Sequence, residues 1–181
     1  MLGQALETVL NTHAGKSGFL LIADNADAFI ARIALCELAQ HTLDIQYYIY
    51  HDDASGLLLR YKIIEAADRG VRVRILVDDI AMGGRDTSFK LFSAHQNISI
   101  RLFNPLENRS YFRNLELLVH LDRAGRRMHN KAFIADDAVA IIGGRNIGDE
   151  YFDARHQMNY IDLDLLSIGP IVKDVAQSFH D

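Results

Sequence analysis

An alternation of strand, helix and strand between residues 42 and 77 constrains the fold of this sequence more than any other feature. Residues 42–50 (TLDIQYYIY) are rich in β-branched and aromatic side chains and predict a strand. Residues 54–69 predict a helix that ends at Gly70. Residues 71–77 (VRVRILV) predict a second strand, whose apolar end is typical of a buried parallel strand. Since parallel strands need a crossover connection, this pattern predicts an α/β fold.

Similar segments continue the pattern on both sides. Further strands are predicted at 20–22, 98–103, 129–135, 139–142 and 160–168, and further helices at 25–40, 86–96, 111–120 and from Pro170 onward. The strands 129–135 and 139–142 are too close in sequence for a helical crossover, so they should pair as an antiparallel hairpin. We therefore expect one domain over residues 1–181, an α/β/α layered sandwich with a mixed, mostly parallel sheet.

Composition argues against several classes of protein. The chain has 181 residues and a net charge of -5, which disfavours a general nucleic-acid-binding protein. Its one cysteine, Cys36, excludes a disulfide within the chain, and its helical context favours a buried apolar role. No run of about 20 apolar residues and no signal-peptide pattern occurs, so the sequence predicts a soluble chain.

The segment 128–146 (MHNKAFIADDAVAIIGGRN) concentrates side chains that suit a phosphate group. His129 and Lys131 are two residues apart on a predicted strand and should therefore point to the same side. Asn146 and the backbone N–H groups around Gly143 and Gly144 can add uncharged donors from the next loop. The His-x-Lys pair alone is typical of a solvated strand face. The functional interpretation therefore depends on the fixed spacing of the whole set.

That spacing matches in full the phospholipase D superfamily signature HxKx4Dx6G[GS]xN, through His129, Lys131, Asp136, Gly143, Gly144 and Asn146. Other segments resemble the bacterial cardiolipin synthase branch, particularly its C-type members: LDIQYYIYHDD (43–53), VRVRILVDD (71–79), RRMHNKAFIADD (126–137) and DLDLLSIGPIV (162–172). The resemblance covers nearly the whole chain from about Ser17.

The resemblance implies a double displacement without a metal or other cofactor. One motif histidine attacks phosphorus and forms a phosphohistidine, while the histidine of a second motif protonates the departing oxygen and later deprotonates the incoming alcohol. The roles it implies are phosphoryl-oxygen binding by Lys131 and Asn146, substrate contacts by Gly143, Gly144 and Arg127, and a structural role for Asp136. A downstream acid should orient His129; this is Asp162, with Asp164 as the alternative because Ile161 replaces the Arg that many relatives carry.

Two acidic segments outside the motif admit a metal interpretation. His51, Asp52 and Asp53 follow one strand, and Asp78 and Asp79 end another. Helix capping and loop solvation are the favoured explanation for both, and the sequence analysis therefore predicts no metal site.

The sequence contains one HxK motif, whereas the mechanism needs two histidines. We expect the chain to be the first of two phospholipase D-like halves in a longer bacterial protein, which would make cardiolipin from phospholipids as a peripheral membrane enzyme. A homodimer partner could supply the second half instead. The alternatives are a single-motif homodimeric endonuclease or phosphodiesterase, suggested by Arg123, Arg126 and Arg127, and a non-catalytic binding domain. Nucleic acid is an unlikely partner given the acidic balance.

Overall fold

The computed structural model describes residues 2–79, 89–90, 92–105, 127–156 and 158–181. Within these ranges the chain forms seven strands and four α-helices, together with one short 3₁₀ helix at Asp149–Tyr151. In chain order the elements are α1 (Leu2–Thr12), β1 (Gly18–Ile22), α2 (Asn25–Leu38), β2 (Thr42–Tyr47), α3 (Ala54–Asp68), β3 (Arg72–Asp78), β4 (Ile98–Phe103), β5 (Ala132–Ala135), β6 (Val139–Gly143), β7 (Asp164–Ile168) and α4 (Ile171–His180).

The strands form one mixed sheet in the order β1-β7-β6-β5-β2-β3-β4. This confirms the predicted α/β fold, and the β5–β6 hairpin pairs as expected. The proportion of parallel strand pairs is lower than in the mostly parallel sheet that was expected. Only the β2–β3 and β3–β4 pairs are parallel, whereas the other four pairs are antiparallel. The reason is that β5, β6 and β7 are joined without helical crossovers, so neighbouring strands run in opposite directions.

The sheet separates two apolar layers, which confirms the predicted α/β/α sandwich. The larger layer packs α2 and α3 against side chains of the central strands, among them Leu43, Ile45 and Ile75. The smaller layer packs α4 against the other face of β5 and β6. Alternation along β5 connects the two, because Phe133 belongs to the first layer and Ile134 to the second.

Helix ends follow the sequence signals closely. The Asp24 side chain accepts a hydrogen bond from the Asp27 N–H and caps α2. Asp53 caps α3 in the same way through the Gly56 N–H. Gly70 follows α3 with φ of 95°, a left-handed conformation that glycine adopts without steric cost.

Several predicted boundaries are wrong. Helix α1 lies where the sequence suggested only a peripheral segment, and β5 begins at Ala132 rather than at residue 129. Strand β7 begins at Asp164 rather than at residue 160. The helix predicted at 111–120 lies outside the described residues, and the one at 86–96 lies partly outside them.

Candidate active site

The motif residues converge at one edge of the sheet, where β2 and β6 end and β5 and β7 begin. Gln46 near the end of β2 pairs with Ala132 at the start of β5, and Gly143 at the end of β6 pairs with Asp164 at the start of β7. Antiparallel pairing therefore places residues 129–131, residues 144–146 and Asp162 just beyond the same edge.

His129 lies in non-strand chain immediately before β5, with its side chain exposed. Its imidazole stacks on the Tyr48 ring, with centroids 4.2 Å apart and an angle of 26° between the planes. The aromatic face of Tyr48 fixes the plane of the imidazole. Tyr48 is therefore a positioning residue that the motif did not indicate.

Lys131 lies against the same tyrosine. Its Nζ atom is 5.7 Å from the centroid of the Tyr48 ring and donates a hydrogen bond of 2.6 Å to the backbone oxygen of His129. Partial burial lowers the pKa of the Lys131 ammonium, and the negative charge of Asp162 opposes that effect. The ammonium thus lies near the Tyr48 ring and within the electrostatic influence of the Asp162 carboxylate.

Asn146 is buried and its amide is anchored at both ends. Its Oδ1 accepts a hydrogen bond of 3.0 Å from the Ile49 N–H, and its Nδ2 donates one of 2.9 Å to the Tyr151 hydroxyl. The hydrogen bond also lowers the pKa of Tyr151, but burial has the larger effect and raises it. Because an amide nitrogen carries two hydrogens, Asn146 keeps the capacity for one further donor contact. Tyr151 is a second residue that the motif did not indicate.

The two motif glycines make room for carboxylates. A Cβ atom on Gly144 would lie 2.1 and 2.4 Å from the two carboxylate oxygens of Asp162. A Cβ on Gly143 would lie 2.0 Å from Asp164 Oδ1 and 2.4 Å from the backbone oxygen of Leu163. The sequence analysis explained these glycines by the approach of a ligand. The structure gives an additional reason. Asp162 lies directly against Gly144, and Asp164, the first residue of β7, lies directly against Gly143.

The structure separates the two candidates for the histidine-orienting acid. Asp164 is fully buried and pairs with Arg32 at 2.9 Å and with Arg145 at 3.4 Å, which removes it from the site edge. Asp162 is half-buried, accepts a hydrogen bond from the Leu163 N–H, and is close enough to Lys131 to affect its pKa. Asp162 therefore stays the better candidate.

Asp136 holds the β5–β6 turn against the start of β2. Its carboxylate accepts hydrogen bonds from the N–H groups of Gln40, His41 and Thr42, at 2.9, 2.7 and 2.9 Å. Three backbone donors thus give Asp136 a structural role. Asp136 also has φ of 54°, a conformation that aspartate tolerates better than most residues.

Arg127 and Met128 are fixed to the end of β3. The Arg127 guanidinium is 3.2 Å from Asp78 Oδ1, and the Met128 N–H donates to Asp78 Oδ2 at 3.0 Å. Since the Arg127 side chain is nearly buried in this pair, the structure gives it an anchoring role just before His129. Substrate contact by Arg127 stays a prediction.

Arg145 occupies the variable position of the motif and was missed entirely. It is fully buried and donates to Asn25 Oδ1 at 2.9 Å and to the backbone oxygens of Ile22 and Ala23. Together with Arg32 it neutralises Asp164. A long-range network of this kind has no local sequence signal.

Comparison with known proteins assigns the chain to a family. Residues 33–181 match the family model described as "Cardiolipin synthase, PLD-like domain". The chain therefore belongs to the phospholipase D-like family, as the motif and the α/β fold indicated.

Individual relatives are consistent with this assignment. The chain is 46% identical over 178 residues to cardiolipin synthase C of Escherichia coli, an alignment that covers 98% of this chain and 37% of that protein. It is 38% identical to an uncharacterised protein of Helicobacter pylori, covering 98% of this chain and 36% of that one. The chain thus spans little more than a third of the length of these relatives.

Solved structures agree on the fold. Phosphatidylserine synthase of Haemophilus influenzae aligns over 100% of this chain and 41% of its own, with a TM-score of 0.68 at 13% identity. NucT of Helicobacter pylori aligns over 91% of this chain and 93% of its own, with a TM-score of 0.65 at 16% identity. Within the described residues, no helix combines the length and apolar character needed to cross a bilayer.

Proposed function

We propose that this chain is one half of a phosphatidyltransferase active site that makes cardiolipin from phospholipids. The observation that carries the proposal is the 46% identity to a cardiolipin synthase across 98% of this chain, together with the complete motif at one edge of the sheet. His129 supplies one of the two histidines, and Lys131 and Asn146 bind the non-bridging oxygens of the phosphoryl group.

The chemistry divides between two halves. In the first step, an imidazole nitrogen of one motif histidine forms a bond to phosphorus. The bond from phosphorus to the departing alcohol breaks, and that oxygen takes a proton from the other histidine. In the second step the acceptor alcohol gives its proton to that second histidine and attacks phosphorus, which releases the first. Lys131 stabilises the negative charge that develops on the phosphoryl oxygens in both steps.

The contacts of His129 support its role. Stacking on Tyr48 holds the imidazole ring in one plane, which supports its positioning beside the phosphoryl group. Asp162, whose carboxylate lies directly against Gly144, is the proposed orienting acid. Its contact with His129 would form when the substrate and the second half complete the site.

A second phospholipase D-like half is required because the sequence holds one HxK motif. The cardiolipin synthase relative has almost two thirds of its length outside the region aligned with this chain. We therefore place the second histidine in the remainder of a longer gene product, and a homodimer partner is the alternative source.

Peripheral contact with a membrane is part of the same proposal. Strand β1 and the chain before β7 expose large apolar side chains at the sheet edge: Phe19, Leu20, Leu21, Ile161 and Leu163. We propose that these side chains contact the lipid surface from which the phospholipid substrates are delivered.

The complete gene product, incubated with vesicles of labelled phosphatidylglycerol, with and without phosphatidylethanolamine, tests the proposal. Cardiolipin should form, and His129→Ala should abolish it, whereas His13→Ala, which changes an exposed histidine outside the motif, should not. A labelled phosphohistidine, stable to base and labile to acid, should be trapped from the donor lipid and lost in His129→Ala. Absence of cardiolipin under every lipid condition would refute the proposal, and a dimer that cleaves DNA instead would support the endonuclease alternative.

A further inference from the structure

A second cluster of polar side chains lies beside the motif loop, outside the residues assigned to phosphate chemistry. His51 follows β2, Asp53 caps α3, and Glu150 lies in the 3₁₀ helix four residues after Asn146. His51 Nδ1 is 3.3 Å from Glu150 Oε1 and 3.7 Å from Asp53 Oδ2. One ligand atom from each of the three residues lies within 4.8 Å of the others.

These separations suit a common metal ion. Ligand atoms about 2.1 Å from a tetrahedral ion are roughly 3.4 Å from each other, which is close to the two measured distances. One imidazole nitrogen and two carboxylate oxygens form a donor set that Zn²⁺ accepts readily, and Mn²⁺ and Fe²⁺ accept such a set with lower affinity. Water could complete the coordination, because His51 and Asp53 are each about a fifth exposed at the side chain.

The charge of the cluster needs a cation. The Glu150 side chain is only 7% exposed, and its Oε2 atom has no hydrogen-bond partner among the described residues. Arg155 approaches that oxygen to 3.4 Å, but its side chain is half exposed. Asp53 accepts hydrogen bonds from the N–H groups of Gly56 and Asp149, which leave lone pairs on both oxygens. A buried carboxylate is costly unless it is paired, so two carboxylates beside one imidazole favour an added positive charge.

Gly148 allows the His51 and Glu150 side chains to approach each other. A Cβ atom at this position would lie 2.8 Å from His51 Nδ1 and 2.9 Å from Glu150 Oε2. Both ligands therefore lie over the bare backbone of the motif loop, and any side chain at residue 148 would push them apart.

We propose that His51, Asp53 and Glu150 bind a structural divalent metal ion, with Zn²⁺ as the preferred species. The ion connects the segment after β2 to the loop that carries Asn146, alongside the hydrogen bond from the His51 N–H to the Ile147 oxygen. It has no part in phosphoryl transfer, so the site stands or falls independently of the proposed function. Asp53 caps α3 as the sequence predicted, and metal binding is an additional role for it.

Equilibrium dialysis of the metal-stripped complete gene product against ZnCl₂ at pH 7.5 tests the site. The wild type should bind one more equivalent of Zn²⁺ per chain than His51→Gln. Glu150→Gln, which keeps the side-chain volume, should weaken that equivalent at least tenfold. Lowering the pH to 5 should weaken it as well, because the imidazole must lose a proton to coordinate. MgCl₂ should bind far more weakly than ZnCl₂.

His95→Gln is the matched control, since His95 pairs with Asp68 at 3.1 Å and has no third ligand beside it among the described residues. It should leave the Zn²⁺ stoichiometry unchanged. The wild-type melting temperature with ZnCl₂ and with EDTA gives a second measurement that needs no variant, and Zn²⁺ should raise it. Equal Zn²⁺ binding by wild type and a folded His51→Gln would overturn the proposal. So would a wild-type melting temperature that does not respond to Zn²⁺.

Discussion

The two adjacent motif glycines should respond differently to the same substitution. In Gly144→Ala the new Cβ would meet both carboxylate oxygens of Asp162, at 2.1 and 2.4 Å, which is roughly 1 Å inside contact distance. That carboxylate is the end of a side chain and can rotate away. In Gly143→Ala the new Cβ would meet the Leu163 oxygen at 2.4 Å and Asp164 Cα at 2.7 Å. Those atoms belong to the neighbouring backbone and can move only if the strand pairing shifts.

The consequences follow from what must move. Gly143→Ala forces β6 and β7 apart and disturbs the buried ion pair of Asp164 with Arg32, so we expect a loss of about 3 kcal/mol in the free energy of unfolding. Gly144→Ala should cost less than about 1 kcal/mol, because only one half-buried side chain rearranges. It should nevertheless displace Asp162 by about 1 Å and lower the transfer rate on the order of 100-fold.

A pair of measurements separates the two effects. Thermal or urea unfolding of the complete gene product measures stability, and cardiolipin formation from labelled phosphatidylglycerol measures transfer. Gly3→Ala is the control, because a Cβ at that helical position meets nothing within 4 Å. In an Asp162→Ala background, Gly144→Ala should lower the rate by less than about threefold, since the two changes act through one carboxylate. The reasoning fails if Gly144→Ala costs the same factor in both backgrounds, or if both glycine variants lose stability equally.

Three further predictions concern single side chains. Asp136→Ala should lower the free energy of unfolding by about 2 kcal/mol, mainly because the part-buried Thr42 N–H loses its acceptor. Asp136→Asn should cost less because it keeps an acceptor. Urea unfolding of both variants measures the difference, and equal losses would contradict the prediction. Burial raises the pKa of the Cys36 thiol to about 12. Iodoacetamide at pH 8 should therefore leave Cys36 unmodified in the native protein and alkylate it in urea, as measured by mass spectrometry. Rapid alkylation of the native protein would contradict this prediction. Activity should fall as pH rises through the lowered pKa of Lys131. Since the charge of Asp162 holds that pKa up, Asp162→Asn should move the alkaline limb of the pH–rate profile to lower pH, and a limb that stays in place would contradict it.

Local signals in the sequence were sufficient for much of the fold. Helices α2 and α3 were predicted from their apolar periodicity, and the end of α3 was predicted because Gly70 acts on groups within a few residues. The β5–β6 hairpin was predicted because so few residues separate its strands. The balance of parallel and antiparallel pairs was not predictable in this way. It depends on β5 inserting between β2 and β6, a choice made by contacts that are about 90 residues apart in sequence.

The candidate site shows the same division. The motif placed His129, Lys131 and Asn146 at one edge of the sheet, but it said nothing about the Tyr48 ring beneath two of them. The ring lies about 80 residues earlier in the chain, at the end of a strand. From the sequence alone, its side chain could equally have pointed into the core. Only the register of β2 against β5 decides this.

The contacts around Asn146 indicate which parts of the site are formed before substrate binds. Its amide is held by the Ile49 N–H and the Tyr151 hydroxyl, and the next residue, Ile147, pairs with the segment after β2. His129, in contrast, is exposed and is held by ring stacking, which contributes about 1 kcal/mol. The amide that we propose binds phosphate is therefore fixed in place, while His129 is expected to retain some freedom until the proposed second half covers it. Because transition-state stabilisation depends on donors fixed in advance, this division is consistent with a site in which phosphate binding comes first and histidine chemistry follows assembly.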